Sequence, residues 1–210
     1  MWRRAGVVLW PATVIVLVSF VLIRIGVSPA MTRFMDNVHW TTSYVAGAWL
    51  AWLGVRTATA ENRAIHRWFA WALSLYAFGQ VLWDWQVAIG WNPFPGPSDL
   101  FYSCLGPGCA LGLWASLRAQ TNRTQLRTAM LDAGALSVAL LALTLALYLP
   151  KRGDTGALAL AVIVAYPVAL LTALSIGVIL VLTVRPRADQ SWMVLLLALM
   201  ANGEIGRAHV

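Results

Sequence analysis

"ALALAVIVAYPVALLTALSIGVILVLTV", residues 157–184, runs for 28 residues without a charged side chain. A bilayer core takes roughly 20 mostly apolar residues of helix to cross. A run of this length and composition reads as a spanning helix. Tyr166 and Pro167 in its middle predict a kink, tolerated where neighbouring groups satisfy the freed carbonyl. Comparable runs lie on both sides, at about 5–26, 38–55, 68–90, 100–117, 129–149 and from about 191. The expected fold is therefore all-α, a polytopic transmembrane helix bundle of about seven spans in this sequence. Three are weaker. "HWTTSY" opens the second with polar groups, Gly106, Pro107 and Gly108 interrupt the fourth, and "SWMVLLLALMANG" is too short to cross alone.

Composition agrees. Of 210 residues, 60% are hydrophobic and 11% charged, against roughly 25% charged in a soluble domain. Such a chain cannot clothe a globular surface in polar groups, so its solvent is lipid. The net charge of +7 forms no continuous basic patch, which argues against nucleic acid. Cys104 and Cys109 imply neither a disulfide framework nor a zinc set. Five apart, they share a helix face poorly and read as small buried residues.

Arginine and lysine in short loops orient the spans. With the N-terminus in the cytoplasm, the inner segments hold ten: Arg3, Arg4, Arg56, Arg63, Arg67, Arg118, Arg123, Arg127, Arg185 and Arg187. The outer segments hold four: Arg24, Arg33, Lys151 and Arg152. Trp40, Trp68, Trp83, Trp85, Trp91 and Trp192 fall near span boundaries, where interfacial anchoring places them. "MWRR", an apolar run and "SPA" follow the order of a cleaved signal peptide. The run is long for one and more spans follow, so an uncleaved first helix is the expectation.

"WNPFPGPSDLFY", residues 91–102, interrupts this pattern on the expected outer face. Three prolines in five positions make a stiff reversal. Ser98 and Asp99 fall where the N-cap of the next helix belongs. The stretch has two readings. In one it is a rigid loop whose acid caps a helix. In the other, Asp84 near the end of span three and Asp99 across the turn face one ligand pocket, walled by Trp83, Trp85, Trp91, Phe94 and Tyr102. Aromatic walls with a few acids suit a cation or an amphipathic small molecule, and an ionisable group inside a span usually marks a partner, a cavity or a function.

Other chemistry is thin. His39 and His66 are expected at opposite faces on different helices, a poor pair for haem. Asp132 sits near Arg123 and Arg127 as a local charge pair or helix N-terminal acid. The sequence holds no GxSxG, HExxH, P-loop or paired acidic motif. No catalytic, metal or cofactor-binding residue is expected. The last seven residues, "EIGRAHV", break the pattern. GAG ATC GGA AGA GCA CAC GTC would encode them, which matches a common sequencing adapter. Residues 204–210, with Arg207 and His209, are expected to be a non-native tail, leaving residues 1–203 as the membrane region.

Four stretches together resemble the N-terminal multi-spanning region that precedes GGDEF and EAL domains in bacterial cyclic-di-GMP signalling proteins. They are "GQVLWDW", "PFPGPSDLFY", "LDAGALSVALLALTLALYLP" and "AYPVALLTALSIGVILV". The family's turn reads Pro-Phe-Pro-Ser-x-x-Asp-x-x-Tyr. Pro93, Phe94, Pro95, Asp99 and Tyr102 match it, whereas Gly96, Pro97 and Ser98 shift its spacing. The likeness covers most of residues 40–203. The family's second acid, late in span seven or just after it, is absent where the odd tail begins. The resemblance implies an inner-membrane sensory or anchoring bundle of about eight spans. Its output would be a cytoplasmic diguanylate cyclase or phosphodiesterase, missing from this fragment and forming a homodimer. A histidine kinase output, a small transporter or permease, and a structural membrane subunit stand as alternatives.

Overall fold

The computed structural model describes residues 2–184 apart from 152 and 155. The expected seventh span, the 204–210 tail, Arg185 and Arg187 lie outside the described residues. The first helix, α1, covers Trp2–Ile25 and stops at Gly26, whose φ of 68° favours glycine. Helix α2 covers Pro29–Thr57 and opens at Ser28, whose hydroxyl accepts from the Met31 N–H at 3.1 Å with Pro29 in the first turn. That serine–proline start places α2 nine residues ahead of the expected 38. Helix α3 covers Arg63–Ala88, and a turn through Gly90 (φ 70°) and the cis Phe94–Pro95 peptide leads to the short α4, Pro97–Tyr102. Helix α5 follows at Leu105–Gln120.

Helix α6, Arg123–Tyr148, also starts early. Asn122 accepts from the Gln125 N–H at 2.9 Å and Gln125 returns a bond to the Asn122 N–H at 3.2 Å, a reciprocal cap that fixes the first turn. A 3-10 turn at Leu149–Lys151 leads towards α7, Ala157–Val184, which continues through Pro167.

Four segments are long and apolar enough to cross a bilayer: Ala5–Ile25, Pro97–Gln120 (taking in α4 and α5), Arg123–Tyr148 and Ala157–Thr183. The chain is thus an all-α, multi-span membrane protein. The expected count of about seven spans is corrected. Helices α2 and α3 have the length, but Arg33, Asp36, Asn37, Thr41 and Thr42 dilute the one, and Arg67, Gln80, Asp84 and Gln86 the other. Of these, Thr41 and Asp84 bond each other across the two helices.

The chain divides into two compact units, Met1–Cys104 and Leu105–Val210. In the first, α1 packs on α2, α2 on α3 and α4 on α3. Gly79 lets α4 lie close, because a Cβ there would come within 3.1 Å of Phe101, Tyr102 and the Ser98 carbonyl. In the second unit α7 packs on both α5 and α6. Gly106 is the tight point: a Cβ would stand 2.6 Å from the Ala169 Cβ. Small residues that let helix backbones approach are how membrane helices associate without a hydrophobic drive between them.

Candidate functional site

Residues four apart share a helix face. On α3 that puts Tyr76, Gln80 and Asp84 in one row, a polar stripe on an otherwise apolar helix. Thr41 of α2 donates its hydroxyl to Asp84 Oδ2. Gln80 donates Nε2–H to Asp84 Oδ1 at 3.1 Å. Tyr102 of α4 donates its hydroxyl to Gln80 Oε1 at 2.7 Å. One carboxylate thus gathers donors that reach back to three helices, and each step of the chain runs towards it. Neutral donors around a carboxylate offset part of what removing it from water costs.

A row of rings runs beside this network. Tyr44 of α2, Tyr76 of α3 and Tyr102 of α4 stack in sequence, with centroids 4.6 Å and 4.8 Å apart. Trp40 extends the row from Tyr44 at 5.7 Å, and His39 meets both Trp40 and Phe20 of α1, at 4.5 and 5.1 Å. Edge and tilted contacts of this kind add to the area the rings bury. Further along the α2–α3 seam, Trp52 Nε1 donates to Ser74 Oγ at 2.9 Å.

The loop is tied down by different residues. Gln86 is fully buried, and its Oε1 accepts the Ser98 N–H at 3.2 Å. Asp99 Oδ2 accepts the Gly96 N–H at 2.7 Å. The N-cap of α4 is therefore Gly96, with Pro97 in the first turn, and not Ser98 or Asp99 as expected. Proline at the first helical position shifts the start two residues upstream and makes Asp99 the third residue, the one that reaches back to the cap.

The seven residues expected to wall a pocket are thus placed as follows. Asp84 and Tyr102 join through Gln80. Asp99 closes the turn of its own helix. Trp83 is half-buried, while Trp85, Trp91 and Phe94 are each about half or more exposed. Trp85 and Trp91 meet edge to face at 6.5 Å. None of the seven lines either of two open apolar grooves. One groove, of about 440 Å³, lies between α1 and α2 among Val8, Ile15, Val45 and Trp49. The other, of about 380 Å³, lies between α6 and α7 among Leu141, Leu145, Val164 and Val168.

Thr41, Tyr44, Tyr76, Gln80 and Gln86 were not among the expected site residues. The four-residue repeat of Tyr76, Gln80 and Asp84 was the signal that could have raised Tyr76 and Gln80. Of the other candidates, His39 is buried with Nδ1 3.6 Å from Asp36 Oδ1, too long for a hydrogen bond. His66 stands near Gly54. Cys109 is buried and Cys104 half-buried. Asp132 lies nine residues inside α6 and is exposed, so it is neither a first-turn acid nor an ion-pair partner of Arg123 or Arg127 among the described residues. The early Asn122 cap, which moves the helix start upstream, is the reason.

Comparison with known proteins finds no matching family model, no matching curated protein and no matching solved structure.

Proposed function

We propose that this chain is the membrane-embedded sensory or anchoring input module of a bacterial signal-transduction protein. Its N-terminus faces the cytoplasm and its output is a dimeric cytoplasmic diguanylate cyclase or cyclic-di-GMP phosphodiesterase. The observation that carries this reading is the Asp84 node. A single ionisable group holds α2, α3 and α4 together through Thr41, Gln80 and Tyr102. An element of that kind has two arrangements, donors engaged or released, and anything that favours one of them shifts a population that downstream domains can read. Asp84, with Thr41, Gln80 and Tyr102 around it, makes this end of α3 the input region, open to a small cationic or amphipathic ligand. The turn motif carried by Pro93, Phe94, Pro95, Asp99 and Tyr102 supports the choice of output.

A transporter is the weaker alternative, because both described grooves are apolar and open along their length. Transport sites place polar groups near the bilayer midplane. A structural subunit, or a histidine kinase output, would use the same bundle.

The test is to read the natural gene past the codon for Gly203. A frame that continues through a further span into a GGDEF, EAL or kinase domain supports an input module. A natural stop directly after that codon removes the output and favours the structural subunit.

A further inference from the structure

The turn between α3 and α4 has a surface that the Asp84 network does not use. From Trp85 to Ser98 there is no charged side chain. Within this segment Trp85, Ile89, Trp91 and Phe94 are each 48–54% exposed, and Leu100 on the first turns of α4 is 68% exposed. Trp85 and Trp91 meet edge to face, and exposed apolar side chains this dense in one short turn mark an interaction surface. Some of its polar groups face the other way: Gln86 and Ser98 are fully buried and bonded to each other, and Asp99 is spent on Gly96. The loop therefore turns its rings outward beside the Asn92 amide, while Gln86 and Ser98 lie inward.

Chain continuity identifies what meets the outward side. Pro97 is the first residue of a segment long and apolar enough to span a bilayer. Trp91 and Phe94 precede it by six and three residues, and a stiff proline turn cannot carry them far from that depth. They stand at the boundary between acyl chains and headgroups, where tryptophan rings concentrate because one edge is apolar and the other wet. The opposite turn of α3, residues 58–62, provides the contrast. It carries Glu61 with Arg63 beside it and no aromatic ring.

We propose that the aromatic face of residues 85–100 is a lipid-docking surface seated in the headgroup zone of the bilayer at that end of α3. Its occupant is the lipid interface itself, not a soluble ligand or a second copy of the chain. The proposal does not depend on which output domain, if any, the chain controls.

The test reads depth. The full chain, with Cys104→Ser and Cys109→Ala, carries a spin label at Phe94→Cys, or separately at Glu61→Cys, in vesicles of phosphatidylethanolamine and phosphatidylglycerol. The expected result is that the loop label collides freely with dissolved oxygen and loses access to a water-soluble nickel chelate relative to the Glu61 label. Equal chelate access at the two sites would overturn the proposal and leave the face open to a soluble ligand. Shielding from both reagents, with spin–spin broadening that vanishes on dilution with unlabelled protein, would also overturn it, in favour of a second copy. Asn92→Cys, on an exposed residue of the same turn, gives the same readout if the Phe94 variant does not fold.

Discussion

The two compact units hold their helices together by different means. In Met1–Cys104 the helices are tied by side chains: Thr41 to Asp84, Gln80 to Tyr102, Trp52 to Ser74, and three tyrosine rings in a row. In Leu105–Val210 the hydroxyls of Ser137, Thr144 and Ser175 each bond the carbonyl four residues back on their own helix, at 2.7 Å. Where α5 meets α7 the backbones themselves come close, Gly106 against Ala169 and Leu170, as Gly79 lets α4 approach α3 in the first unit. Both means are open to helices in lipid, where apolar burial drives little association. They differ in what they allow. A backbone-to-backbone contact has one good geometry, whereas a hydrogen-bonded seam can open and close at modest cost.

Five substitutions sharpen or break that contrast, each read by thermal unfolding in micelles. Gly106→Leu has the largest expected effect. Even its Cβ stands 2.6 Å from Ala169, so the loss is about 3 kcal/mol or more, the upper end for overpacking. Asp84→Ala comes next. It leaves the Thr41 hydroxyl and the Gln80 amide without their acceptor, at about 1–3 kcal/mol. Tyr102→Phe keeps the ring and removes one bond to Gln80, for about 1 kcal/mol. Trp52→Phe loses only the indole bond to Ser74, for about 0.6 kcal/mol, the mean for such bonds between membrane helices. Gly134→Ala meets nothing within 4 Å and is expected to leave stability unchanged or raise it by up to about 1 kcal/mol. If Asp84→Ala proved as mild as Gly134→Ala, the side-chain seam would not be holding the first unit.

The all-α class was legible because lipid demands long uncharged runs, and a run is a local property, but the four apolar segments were not separable from the runs at 38–55 and 68–90, whose polar residues dilute them. The helix starts were partly legible. Ser28-Pro29 and the Asn122/Gln125 pair are cap signals written in the sequence, but "SPA" also fits a signal-peptide boundary and was weighed as one. The polar node was not legible. Thr41 and Asp84 are 43 residues apart in the chain, and no local pattern pairs them. Only the spacing of Tyr76, Gln80 and Asp84 hinted that one face of α3 had a use. Asp99 was singled out as a helix-capping acid, but Gly96-Pro97 took the first two positions and moved it one turn inward.

The central claim is that Asp84 sits at the point where the first unit is switched. The direct test is the cellular cyclic-di-GMP level, at matched expression, of the natural full-length protein and its Asp84→Asn variant. Asparagine keeps the size of the side chain but removes the charge and one of its two acceptor oxygens, so the Thr41 hydroxyl and the Gln80 amide no longer both donate to a carboxylate and the engaged arrangement loses preference. The account predicts a change of about fivefold or more, the lower end of ordinary coupling between sites. An unchanged level, with the variant folded and inserted like the parent, would contradict it.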